Sequence, residues 1–284
     1  MASAESIQCS RYAGHLARLS GVRIKLPAAF FRRLLAHPLT ARLDLDDPAT
    51  TELRKQVISS KPFLRAIYDE WYSALAMEVP HGEGAVIELG SGAGYCNRYI
   101  SGLITSEVFY CPTVQLAVDA RQMPFRVGSL RAIVFTNVLH HIPDLPLFFG
   151  EAIRCLRPGG KVLMIEPWVT PWSRFIYKHF HHEPFSPETQ DWSFVSTGPL
   201  TSANGALPWI VFARDRGRFE SEFPELVIER IRPFLPFRYL ISGGIAMRSL
   251  MPGFTHSWWA RLEMMLEPCM SSLAMYAFIA LRRR

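Results

Sequence analysis

Lysine is scarce in this 284-residue chain, standing only at positions 25, 55, 61, 161 and 178, so the formal charge of +6 is an arginine effect. Such an excess suits anionic ligands or a membrane surface and says nothing about fold. No apolar run reaches the ~18 residues that a membrane-crossing helix needs, so none is expected. Cysteine is thin too. Cys9, Cys96, Cys111, Cys155 and Cys269 are odd in number and widely spaced, with no Cys-x-x-Cys pair and no Cys/His cluster. That argues against a disulfide scaffold and a zinc site, and reduced thiols in a cytoplasmic protein are the expectation. Internal repeats and low-complexity tracts are missing. With 49% hydrophobic and 20% charged residues, the chain is globular rather than disordered, and long enough for one large or two small domains.

What is present is organised around Val86-Ile87-Glu88-Leu89-Gly90-Ser91-Gly92-Ala93-Gly94. An apolar strand-type run, Ala85–Leu89, feeds a turn with glycine at every second position, and a helix-compatible stretch, Tyr95–Ile100, follows. Glycine lets a turn take positive φ and lets backbone approach a ligand, while the start of a helix offers unpaired N–H groups. Two details separate this turn from a dinucleotide fingerprint. Glu88 puts an anion at the strand end, and the third glycine follows the second by two residues instead of three. An acid there suits a ligand with a positive end, such as an amino acid's ammonium. The pattern resembles motif I of class I S-adenosylmethionine-dependent methyltransferases.

In chain order, residues 1–80 read as a helical cap over the ligand edge of a sheet. Leu26–Leu35 sets Phe30, Phe31, Leu34 and Leu35 against Arg32 and Arg33, and His37-Pro38 stops it. From Pro62, Phe63, Ile67, Trp71 and Ala74 recur at helical spacing up to Val79-Pro80. Ser6 to Leu43 holds seven basic residues and no acid, a composition shared with transit peptides and with basic surfaces that touch membranes; it is read as structure, with peripheral membrane contact as an alternative. Strands are expected at Ala85–Leu89, Leu103–Val108, Val114–Val118, Arg131–Thr136 and Lys161–Glu166, then Leu226–Ile231 and Ala274–Leu281. Asp144 caps a helix with Leu145, Phe149, Ile153 and Leu156 as its apolar stripe. Strands separated by helices argue for a parallel, doubly wound α/β sheet. Between Glu107 and Val114 there is no room for a crossover helix, so a loop is expected. Residues 168–222 are aromatic and irregular, and His256–Glu267 reads as a helix.

Open α/β sheets bind ligands at the carboxyl ends of their strands. Glu107 ends the second strand, where a carboxylate can accept both ribose hydroxyls. Asp119-Ala120 closes the third; there the acid accepts from an adenine amine, the Ala120 N–H donates to a ring nitrogen, and Met123 packs on the ring. Thr136-Asn137-Val138-Leu139-His140-His141 follows the fourth, its polar backbone lining the methyl-donor pocket, and His140 or His141 is the candidate general base. His179, His181 and His182 beside Glu183 form a second candidate base group; their spacing invites a metal reading, but with no further fixed ligand no metal is expected.

Glu-Leu-Gly-Ser-Gly-Ala-Gly at 88–94, Asp-Ala-Arg-Gln-Met-Pro-Phe at 119–125, Asn-Val-Leu-His-His-Ile-Pro-Asp at 137–144 and Leu-Arg-Pro-Gly-Gly-Lys-Val at 156–162 occur in order. Together they resemble the small-molecule branch of class I methyltransferases, which includes quinone and natural-product methylating enzymes. The resemblance implies a seven-stranded Rossmann-like sheet of order 3-2-1-4-5-7-6 with the last strand antiparallel, spanning residues 81–284, with 168–222 and 235–270 as acceptor-side insertions. It implies S-adenosylmethionine as cofactor, with Glu88, Gly90, Gly92 and Gly94 at its methionine part, Glu107 at the ribose and Asp119 at the adenine; Ser91, Ala120, Met123 and Asn137 complete the expected cofactor-binding set. The Asn-Pro-Pro-Tyr motif that holds a flipped base is absent and no basic RNA-binding module is evident, so no nucleic-acid partner is expected. The aromatics of 168–222 (Trp168, Trp172, Phe175, Tyr177, Phe185, Trp192, Phe194, Trp209, Phe212) suggest a large apolar pocket for a small-molecule or lipid-like acceptor. Arg174, Arg214, Arg216 and Arg218 either hold an anion on it or form a solvated face. A nicotinamide-dependent oxidoreductase and a non-catalytic donor-binding regulator are the alternatives.

Overall fold

The computed structural model describes residues 48–180, 183–196, 198 and 202–284. The expected helix at Leu26–Leu35 and the basic stretch from Ser6 to Leu43 lie outside them. Two helices come first, α1 (Pro48–Ser60) and α2 (Pro62–Glu78), the second with its proline in the opening turn as read from sequence. The strands are β1 (Ala85–Glu88), β2 (Leu103–Glu107), β3 (Leu116–Ala117), β4 (Leu130–Thr136), β5 (Leu156–Pro167), β6 (Leu226–Phe234) and β7 (Tyr276–Arg283). They form one sheet of order β3-β2-β1-β4-β5-β7-β6, with β7 antiparallel to both neighbours and the first five strands parallel. This is the expected order.

The central strands read as unbroken apolar runs because both faces are covered. Along β4, Ile133 and Phe135 enter one layer and Ala132 and Val134 the other, all fully buried. The first layer packs against α3 (Leu145–Cys155) through Leu145, Phe148, Phe149 and Ala152. Asp144 caps that helix, accepting from the Leu147 N–H at 3.1 Å. The second layer packs against α2 through Phe63, Leu64, Ile67, Trp71 and Leu75.

Two expectations need correction. The stretch after the glycine turn is no α-helix: only a single tight turn, Cys96–Arg98, forms there. Fourteen positions do not leave room for the turn, a helix and the return to β2, and Gly102, at φ +69°, reverses the chain instead. Helix α2 covers this face in its place. Cys96 and Ile100 join its apolar cluster, and the Tyr95 and Tyr99 hydroxyls donate to Asp69 at 2.9 and 2.7 Å. The segment 168–222 is also more regular than its composition suggested. It carries α4 (Pro171–Phe180), α5 (Leu207–Trp209) running into a widened turn at Ile210–Arg214, and α6 (Arg216–Glu222). The loop between β2 and β3 holds no helix, as its length required.

Between β6 and β7 lie α7 (Arg238–Ile241), α8 (His256–Met265) and α9 (Met270–Leu273). The helix expected over His256–Glu267 is present, though Trp258, Leu262 and Met265 are exposed. No helix among the described residues is long and apolar enough to cross a membrane.

Candidate active site

A cavity of about 920 Å³ opens at the carboxyl ends of β1, β2, β4 and β5. Its floor is the glycine turn. Gly90 sits at φ +65°, where a side chain would be strained, and a β-carbon there would come within 2.5 Å of Val138 Cγ2. A β-carbon on Gly92 would lie 2.7 Å from Glu107 Oε2, and one on Gly94 would collide with the Tyr72 hydroxyl. Ser91 ties the turn to β2: its Oγ accepts from the Ser106 N–H at 3.1 Å and donates to the Glu88 carbonyl at 3.2 Å.

Glu107 lines the cavity, with Oε1 accepting from the Val108 N–H at 3.0 Å. Burial raises its carboxyl above the usual range, opposed by the Val108 N–H, the Arg54 charge and the Gly92 N–H. Glu88 is placed behind the turn rather than on the wall, 3% exposed, with Oε2 accepting no hydrogen bond among the described residues. Burial pushes it up to about 7; the Ser91 hydroxyl pulls down and the Glu107 charge pushes up. Two acids, one of them orphaned, thus bias the turn toward a cationic ligand.

Asp119 reaches the cavity edge already engaged. Arg121 grips both oxygens (Nε–Oδ1 3.0 Å, Nη2–Oδ2 2.7 Å) and adds its own N–H at 2.9 Å, holding the carboxyl below its usual range. Any adenine amine shares that acceptor with Arg121. Ala120 is on the wall. Met123 is not: it is 2% exposed inside the layer against α3, with its N–H on Glu151 Oε2 at 2.7 Å. The reversal from Asp119 to Gln122 returns the chain to the core there, so apolar packing claims the thioether. Asn137, at φ +57°, occupies a left-handed position that asparagine tolerates, and it lines the cavity.

His140 and His141 both reach the wall, ring centres 4.3 Å apart. They sit in opposite environments. His140 is 2% exposed, its Nδ1 2.6 Å from Glu166 Oε2 and its Nε2 3.7 Å from Glu183 Oε2. Burial pulls its pKa down, but Glu166 and Glu183 together push it up to about 9. His141 places Nδ1 3.2 Å from the Ser202 carbonyl, and burial with the neighbouring His140 pushes it down to about 4. Glu183 therefore meets His140 and not His179, whose Nδ1 bonds the Phe175 carbonyl at 2.8 Å on α4. His181 and His182 lie outside the described residues.

Beyond the histidines the cavity widens into a chamber. Of the aromatics singled out in 168–222, Tyr177 and Phe185 reach it, while Trp168, Trp192 and Phe212 are core. The rest of the wall comes from Tyr68, Tyr72, Tyr239 and Tyr276, with the Tyr68 and Tyr72 rings 5.7 Å apart and the Tyr239 and Tyr276 rings 5.0 Å apart, centre to centre. Helix α1 contributes Thr50, Thr51 and Arg54. Lys61 pins the rim loop Gly243–Met247, donating to the Gly244 and Met247 carbonyls at 2.5 and 2.7 Å. The four arginines Arg174, Arg214, Arg216 and Arg218 do not line the cavity and pair with Glu188, Asp215, Glu220 and Glu222. They form the solvated face.

Glu166 was the residue sequence reading passed over. It is fully buried and accepts from the Val138 and Leu139 N–H groups at 2.7 and 3.0 Å as well as meeting His140. Its signal was available: like Glu107, it is an acid at the carboxyl tip of a strand.

Residues 87–164 match the family model described as a methyltransferase domain. No protein of curated function matches the chain. Among solved structures, geranyl diphosphate C-methyltransferase from Streptomyces coelicolor A3(2), in complex with Mg2+, geranyl diphosphate and S-adenosyl-L-homocysteine, is 16% identical, with 88% of this chain and 91% of that chain covered and a TM-score of 0.48. A geranyl diphosphate methyltransferase in complex with S-adenosylmethionine is 16% identical over 88% of this chain and 98% of its own, TM-score 0.47. An S-adenosylmethionine-dependent methyltransferase from Mesorhizobium loti is 14% identical over 74% and 96%, TM-score 0.44.

Proposed function

We propose that this chain is a methyltransferase that moves the methyl group of S-adenosylmethionine to a small acceptor with an apolar, lipid-like body and one polar end; the match of residues 87–164 to a methyltransferase domain supports the reaction class. The observation that carries this reading is the continuity of a single cavity, from the glycine turn and its acids, past His140 and His141, into the tyrosine-walled chamber. The nicotinamide alternative is set aside with the domain assignment.

The residues fit the donor by chemistry. Glycines 90, 92 and 94 let the turn pack against Val138, Glu107 and Tyr72, where any β-carbon would clash, and present bare backbone to the cavity, while the Glu88 and Glu107 carboxylates favour the donor's cationic end. Glu107 takes the ribose hydroxyls and Asp119, with Ala120, the adenine edge. Arg54, whose charge acts on Glu107 and His141, takes the methionine carboxylate. Bound there, the donor supplies a sulfonium methyl, an electrophile that needs alignment more than activation. The chamber then has two tasks, to hold an apolar body against Tyr177, Phe185, Tyr239 and Tyr276 and to bring its polar end to His140 and His141. His140, fixed by Glu166, is the catalytic residue of the pair.

The test supplies purified protein with methyl-labelled donor and a fractionated cell extract. Label is expected in the organic-soluble small-molecule fraction. Label confined to protein or nucleic acid overturns the acceptor reading, and no binding of S-adenosylhomocysteine by folded protein overturns the donor site.

A further inference from the structure

We infer that His140, His141 and Glu183 form a binding site for a divalent transition-metal ion at the head of the acceptor chamber. Each offers one ligand atom, and the three atoms lie within 4.8 Å of one another. An ion with tetrahedral ligands at about 2.1 Å needs them about 3.4 Å apart. His140 Nε2 and Glu183 Oε2, at 3.7 Å, are close to that already. Rotation of the Glu183 carboxylate, which is 24% exposed, and a small shift of the His141 ring complete the approach.

The surroundings of the two imidazoles carry the argument further. A metal-binding histidine donates its other ring N–H to a carboxylate or a carbonyl, which fixes both its tautomer and its aim. His140 has Glu166 Oε2 at 2.6 Å from Nδ1, and Glu166 is itself immobilised by two backbone N–H groups. His141 has the Ser202 carbonyl at 3.2 Å from Nδ1. With both Nδ1 positions engaged as donors, both Nε2 atoms face a shared ion, which takes the place of the proton that His140 otherwise holds toward Glu183. Two imidazoles and one carboxylate select zinc, iron(II), cobalt or manganese over magnesium and calcium, which prefer all-oxygen sets. Three protein ligands leave coordination positions for a ligand from the chamber, so the polar end of the acceptor is expected to be an oxygen donor: a hydroxyl, enol or carboxylate. The inference deepens the acceptor reading above, while its binding test requires no acceptor.

The probe is cobalt(II) added to metal-stripped full-length protein, read by visible absorption and by calorimetry, with S-adenosylhomocysteine binding measured on the same samples. One cobalt per chain is expected, with a low-symmetry absorption band. Both signals should vanish in Glu183→Gln and in His141→Ala and persist in His179→Ala, which removes the neighbouring histidine outside the cluster. Retained S-adenosylhomocysteine binding shows that the two variants are folded. Absence of cobalt binding in the unsubstituted protein, or its persistence in both Glu183→Gln and His141→Ala, overturns the site; with S-adenosylhomocysteine still bound, the methyl-transfer reading survives that failure. Cobalt binding without S-adenosylhomocysteine binding leaves the metal site standing and removes the donor site instead.

Discussion

Gly92 and Glu107 share one small volume: a β-carbon on the glycine would lie 2.7 Å from Oε2 of the glutamate and 3.2 Å from Cγ2 of Thr51. The backbone of Gly92 is not in the left-handed region, so a substitution here acts through space and not through strain. Gly92→Val must displace the carboxylate assigned to the ribose. Overpacking of this kind costs about 1–3 kcal/mol; taken out of donor binding, that raises the Kd for S-adenosylhomocysteine by about 5- to 150-fold. Calorimetry on the folded variant checks it, and an unchanged Kd removes Glu107 from the donor site.

Glu88 gives a pH signature. Its folded value, about 7, stands above the ordinary 4.5, so the folded chain holds this proton more tightly than the unfolded chain. The contribution to stability is complete below about pH 4.5 and is lost as pH rises through 7, a swing of about 3 kcal/mol at most. Glu88→Gln should therefore raise the melting temperature of the ligand-free protein at pH 8 and flatten its decline between pH 5 and 8. It should also weaken S-adenosylhomocysteine binding at pH 8, where the charge that favours a cationic ligand is gone. Thermal melts across pH with and without ligand check both halves.

The sheet was legible because strands buried on both faces leave continuous apolar runs, and Val86-Ile87 and Ala132–Phe135 are such runs. The place of Glu107, Asp119 and Asn137 on the cavity wall was legible because strand ends open onto the ligand edge of a parallel sheet by rule. The same rule applied to Glu166, at the tip of β5, would have found the partner of His140. What could not be read was anything set by distant packing. The helix after the glycine turn gave way to α2, which comes from earlier in the chain. Met123 went to the core because a turn ahead of it reversed. The tyrosine wall draws on Tyr68, Tyr239 and Tyr276, which no local spacing connects.

Arg54 separates the two ends of the donor. It lies on α1 at the cavity and acts electrostatically on Glu107, His141, Tyr68 and Tyr239. A charge-assisted contact to the methionine carboxylate contributes about 1.5–3 kcal/mol. Arg54→Ala should then raise the Kd for S-adenosylhomocysteine about tenfold or more and leave methylthioadenosine, which lacks the amino-acid portion, unaffected. Equal loss for both ligands would place Arg54 at the adenosine instead.

Glu166 acts through His140. One oxygen accepts from the Val138 and Leu139 N–H groups, and the other faces Nδ1. In Glu166→Gln the amide oxygen keeps the backbone contacts, so the amide nitrogen turns its N–H toward the ring. Nδ1 must then accept, so the ring, which Glu166 and Glu183 otherwise hold protonated on both nitrogens, gives up its Nδ1 proton and keeps the one on Nε2, the atom that faces the chamber. The side chain keeps its volume and two of its three contacts, so the fold and S-adenosylhomocysteine affinity should hold. Methyl transfer to the organic-soluble acceptor should fall by about 100-fold or more, the scale of a lost acid–base group. Nitrogen-15 spectra of the imidazole check the cause, since a purely structural role for Glu166 would leave the ring's tautomer unchanged. A variant with normal transfer and a switched tautomer would show that the Nε2 lone pair of His140 has no part in the reaction.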